Sequence, residues 1–90
     1  MHISRLDWDE YRVDHIAMHD VVPDEVWEVC CDPFHLAHRE GQKRYRLYGQ
    51  SSDGRYLFIM LEHLDGAIFK PITARDMTDG EKRSYRRLVR

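Results

Sequence analysis

Residues 44–61 read RYRLYGQSSDGRYLFIML, and their alternation decides the fold. Two strand-like runs, RYRLYGQ and RYLFIML, flank the turn-forming SSDG, so the stretch predicts an antiparallel hairpin. The second run is apolar on both faces, with Tyr56, Phe58 and Met60 alternating with Leu57, Ile59 and Leu61. Such a strand belongs at the centre of a sheet with both sides covered. A second turn, LDG, leads into AIFKPITAR, which completes a three-stranded meander. Pro71 has no amide hydrogen, so the last strand either bulges there or leaves that position unpaired.

Outward from the meander the periodicity becomes helical. Downstream, Thr78 and Glu81 stand in capping-box spacing and start a helix that runs to the C-terminus. Upstream, His35 to Gln42 reads as a polar connection. Before it, a helix is expected from Pro23 to the Asp32-Pro33 stop, with Val22, Val26, Val29 and Cys30 on its core face. An earlier helix spans Asp9 to His19, with Val13, Ile16 and Ala17 as its apolar stripe. Ile3 to Asp7 supplies a short first strand. The expected class is α+β: two N-terminal helices, an antiparallel sheet of three to four strands, and a C-terminal helix.

Ninety residues, 42% hydrophobic and 33% charged, make one domain over 1–90. The N-terminus has no apolar signal-peptide region, and Tyr56 to Leu61 is far too short to cross a bilayer, so a cytoplasmic protein without membrane attachment is expected. Cys30 and Cys31 are neighbours on a helix, poorly placed for a disulfide, and read as buried thiols.

Charge is unevenly distributed. Met1 to Phe34 holds two basic and nine acidic residues, whereas Lys70 to Arg90 holds seven basic and three acidic. Either the two ends pair with each other in the fold, or the basic end meets an anion. An ordinary solvated helix is the bland alternative.

Several words of the sequence, in this order, resemble the BrnT family of bacterial toxins. They are Trp8-Asp9, His19 followed by Val21, PDEVWEV and DPF, RYRLYGQSSDGRYLFIML, and PITARDMTDGEKRSYRR, and together they cover nearly the whole chain. The resemblance implies a RelE-like fold and a ribonuclease, encoded with a DNA-binding antitoxin, that touches DNA only through that partner. Where the family commonly has Asn, Lys and Gly, this chain has His15, Met18 and Asp20.

Metal-free RNA cleavage needs a base for the 2'-hydroxyl, an acid for the departing 5'-oxygen, and cations around the phosphate. No cofactor is called for. Arg75 ends one strand and Arg55 opens its antiparallel neighbour, so both guanidiniums are expected at one sheet edge, in position to grip a phosphate. His19 is the candidate titrating group, favoured also by the resemblance, and Glu81 a candidate acid or base. Arg46, Lys82, Arg83 and Arg86 are the candidate RNA-binding cations, with Arg87 and Arg90 extending the run. Tyr45, Tyr48 and Tyr56 are core positions or base-stacking platforms.

Each of these residues also has a simpler explanation. Glu81 is accounted for by its cap, His19 by the helix dipole, Arg55 by solvation beside a turn, and Arg75 by an ion pair with Asp76 or the acidic helices. Two rival functions remain. His15 and His19, with His35 and His38, could meet around zinc. Alternatively, loss of the basic residue at Met18 would leave an inactive BrnT-like scaffold that binds a partner protein.

Overall fold

The computed structural model of the chain describes residues 1–89; Arg90, the last cation of the basic run, lies outside the described residues. In chain order the elements are β1 (Arg5–Leu6), α1 (Glu10–Ala17), α2 (Pro23–Cys31), β2 (Leu36–Glu40), β3 (Arg44–Gln50), β4 (Tyr56–Asp65), β5 (Ile68–Asp76) and α3 (Asp79–Leu88). The architecture is α+β. The five strands form one sheet in the order β1-β5-β4-β3-β2, so β4 is central, in keeping with its two apolar faces.

The sheet is larger than the sequence pattern implies, and it is mixed. Leu36 to Glu40, which reads as a polar connection, is an edge strand paired antiparallel to β3 from Leu36↔Tyr48 to Glu40↔Arg44. An edge strand with one solvent face needs few apolar residues, so charge and an imidazole conceal it from a periodicity search. At the other edge β1 runs parallel to β5 through Arg5↔Ile68 and Leu6↔Phe69. A parallel partner this short leaves no signature in the sequence. At Pro71 the register shifts, with Met60 opposite Thr73 but Leu61 opposite Pro71, so a bulge absorbs the missing amide donor.

α1 and α2 cover one face of the sheet. Their buried residues, Ile16, Val26 and Val29, meet Leu47, Leu57, Ile59 and Leu61 in the core. The end of α2 approaches β3 closely at Gly49, where an added Cβ would stand 2.9 Å from Val29 Cγ1 and 3.2 Å from both His35 Cβ and Asp32 Oδ2. α3 lies across the opposite face, held by the buried Tyr85, whose ring meets that of Tyr56 edge-on.

Asp32, at the end of α2, ties the layers together. Its carboxylate accepts from the backbone amides of Phe34 and Gln50 at 2.9 Å each and from the Tyr85 hydroxyl at 3.4 Å. Burial first, and then the charge of Asp32, push the Tyr85 hydroxyl up to about 12.

Some apolar side chains lie outside the core. Val22 caps α2 at its N-terminus and Leu88 ends α3, and both are exposed. Cys30 is buried, its thiol pushed up to about 12 mainly by burial, whereas Cys31 is exposed. Successive helical residues point about 100° apart, so both thiols could not share the narrow face that α2 buries. No helix among the described residues is long and apolar enough to cross a membrane.

Candidate functional site

The rim where β4 begins and β5 ends carries Arg55, Arg75 and Asp76, and here strand alternation decides the outcome. Arg75 and Asp76 are consecutive and point to opposite faces of the sheet. Arg55 follows Asp76 toward the side of α1 and α2. Its Nε and Nη2 donate to Asp76 Oδ1 and Oδ2 at 2.8 and 3.3 Å, its Nη1 to Glu25 Oε1 and Oε2 at 3.2 Å each, and Nη1 and Nη2 also to the backbone oxygens of Asp20 and His19. The carboxylate of Asp76 is held below its usual range first by this hydrogen bond. Arg55 therefore clamps the α1–α2 turn onto the sheet.

Arg75 takes the other face. Its guanidinium lies 4.3 Å from the ring centre of Phe58 and pairs with Glu81, Nη1 to Oε1 at 2.8 Å and Nη2 to Oε2 at 3.1 Å. Glu81 closes the capping box as well, accepting from the Thr78 amide at 2.9 Å while its own amide donates to Thr78 Oγ1 at 3.2 Å. Arg75 is the first cause that holds the Glu81 carboxyl below its usual range, with the cap adding to it. The two guanidiniums thus leave the sheet on opposite sides, each fork filled by carboxylates of this chain, and no common phosphate position lies between them. Antiparallel topology brings the two positions to one rim, but residue parity sends the side chains apart.

His19 lies in the exposed turn after α1, its ring 5.8 Å from that of His15. It adjoins Arg55 through its carbonyl and has no side-chain link to Arg75 or Glu81. His15 bonds Thr73 Oγ1 through Nε2 at 3.1 Å. Asp20 follows with φ 57°, in the left-handed conformation that closes a helix C-terminus. No group of three or more His, Cys, Asp or Glu side chains among the described residues is arranged to hold a metal ion.

A second location gathers Arg46 and Glu81 with residues whose role the sequence does not reveal. Between α3 and the outer strands β2 and β3 lies a groove of about 300 Å³ lined by His38, Arg46, Tyr48, Glu81, Ser84 and Leu88, among others. The rings of His38 and Tyr48 meet edge-on at 6.0 Å. Tyr45, on the other face of β3, packs against Phe69 in the core. His38 could have been paired with Arg46 and Tyr48 only by recognising β2 as a strand, since register alone brings His38 opposite Arg46.

The outer surface of α3 is basic. Lys82 and Arg86 flank Tyr56 at 5.4 and 4.9 Å from its ring centre, and Arg86 Nε donates to the Tyr56 hydroxyl at 3.2 Å. Among the described residues, Lys82, Arg83, Arg86 and Arg87 form no ion pair. The acidic N-terminal half pairs elsewhere, as Asp9 with Lys70 at 3.1 Å and Glu25 with Arg55. No family model matches the chain, and no curated protein matches it.

Proposed function

We propose that this chain is an RNA-directed, BrnT-like toxin of RelE-like fold: a metal-independent endoribonuclease that cleaves by 2'-hydroxyl attack, acts in the cytoplasm, and is held in check by a DNA-binding antitoxin protein. The observation that carries this reading is the unpaired basic face of α3. Four cations, two of them beside the Tyr56 ring and none paired with a carboxylate among the described residues, in a chain of net charge -2, are suited to the backbone and bases of a single strand. Asp20 adds support, because the BrnT family commonly has glycine there and glycine adopts that backbone conformation without strain.

The test is incubation of the purified chain with total RNA in EDTA, beside a variant in which Lys82, Arg83 and Arg86 are all changed to Gln. Cleavage by the wild type, slowed at least about tenfold in the variant at moderate salt, is the expected result. Intact RNA after long incubation at high protein concentration would end the ribonuclease assignment.

One observation favours the alternative of a catalytically inactive scaffold that binds a partner protein: the arginine forks of Arg55 and Arg75 are both occupied within the chain. That alternative predicts no cleavage, together with protection of α3 from proteolysis by the cognate partner.

A further inference from the structure

We infer that the groove between α3 and the outer strands is a binding site for one ribonucleotide unit, with the phosphate on Arg46 and the base against Tyr48. This deepens the RNA reading proposed above and rests on it, but it assigns the contact to residues that neither the rim of β4 and β5 nor the basic face includes.

The first argument is the state of Arg46. Whereas the forks of Arg55 and Arg75 are taken by carboxylates, the side chain of Arg46 makes no hydrogen bond among the described residues. Its Nε is buried without a partner, and the nearest carboxylate oxygen, Glu40 Oε2, stands 3.6 Å from that nitrogen, beyond hydrogen-bond range. The side chain is nonetheless 43% exposed, and its two terminal nitrogens, which no carboxylate holds, can take a phosphate in fork geometry, the strongest hydrogen bonding open to them.

The second argument is the company it keeps. His38 lies opposite Arg46 in register and Tyr48 lies two residues along the same strand, so alternation puts all three on the groove side of the sheet. Tyr48 and Leu88 provide aromatic and aliphatic surface for a base, while His38 and Ser84 supply polar atoms for a sugar. The groove's one acidic lining residue among those named, Glu81, has its charge answered by Arg75 in a two-point pair. A phosphate entering beside it therefore meets little repulsion. A volume of about 300 Å³ is at the small end of ligand sites and suits a single nucleotide better than a folded RNA.

Glu40 supplies the discriminating feature, since its carboxylate, on a side chain 54% exposed, competes with any phosphate for Arg46. Removing that charge should strengthen binding, an effect that a purely structural role for Arg46 would not produce. The experiment is an NMR titration of the labelled chain with cytidine 3'-monophosphate, with cytidine and inorganic phosphate as separate controls. Expected are saturable shifts of the His38 and Tyr48 ring signals. Binding should weaken at least about tenfold in Arg46→Ala, on the scale of a lost charge-assisted contact, and tighten severalfold in Glu40→Gln.

Arg46→Lys guards against misfolding of the alanine variant, and its spectrum should keep the native pattern while binding falls to an intermediate level. Absence of saturable shifts at His38 and Tyr48, shifts confined to the exposed cations of α3, or unchanged affinity in Glu40→Gln would each overturn the inference. RNA cleavage without these shifts would leave the ribonuclease proposal standing and remove this site. Nucleotide binding in the groove without any cleavage would do the reverse.

Discussion

Asp20 holds a backbone conformation that costs an L-residue energy, although less for Asp than for most. Replacing it by glycine should stabilise the fold by up to about 1 kcal/mol, because relief of the left-handed strain outweighs the added freedom of the unfolded chain. A urea titration of Asp20→Gly that gives a lower midpoint than wild type would show that the Asp20 side chain contributes more than its conformation costs. At Glu81 the relevant variable is pH. Its carboxyl is held below its ordinary value of 4.5 in the folded chain, chiefly by Arg75. A group lowered in this way stabilises fully above 4.5, and its contribution is lost as pH falls through the folded value. Glu81→Gln keeps the capping geometry but loses the charge. The stability difference from wild type should therefore be about 1 kcal/mol near neutrality, and it should shrink as the solution is acidified below 4.5. A difference that stays constant from pH 7 to pH 3 would mean that the ion pair contributes nothing.

At the scale of elements, Gly49 fixes how closely α2 sits on β3. Gly49→Ala should cost about 1 to 3 kcal/mol, the range for overpacking a filled core, with chemical denaturation as the measure. A neutral result would show that α2 shifts away without penalty. The same strands show how far the chain could be read in advance. β3 runs over Arg44–Gln50, the very run that alternation marks, and α3 begins at its Thr78 cap because both signals are local. β2 and the parallel pairing of β1 were not legible, since an edge strand needs little apolar patterning and a two-residue strand carries almost none. The candidate site followed the same division. The common rim of Arg55 and Arg75 was readable from topology. Their opposite directions depended on residue parity at the regular pairs Leu57↔Asp76 and Phe58↔Arg75, and their carboxylate partners Glu25 and Glu81 come from two different helices. The groove was hidden because it needs β2.

At the scale of the whole molecule, charge is distributed by face. The acidic N-terminal half is partly spent internally, on Arg55 and Lys70, and this leaves α3 as a basic surface on a chain whose net charge is -2. If α3 tracks a single strand, log affinity for a short unstructured RNA should fall linearly with log salt, and each neutralised cation should reduce the slope by about 0.7. Fluorescence anisotropy of wild type and Lys82→Gln/Arg86→Gln, read across a salt series, measures this directly. Equal slopes would place the RNA on another face. β2 stands at an open edge of the sheet. A terminal strand with half its amides and carbonyls unspent is a template on which foreign chains can polymerise, and His38, Arg39 and Glu40 cover that template with polar groups. The features that disguise this strand as a loop also guard the protein's colloidal solubility. Changes that make its outer row greasier would trade a better-behaved sequence pattern for fibrils.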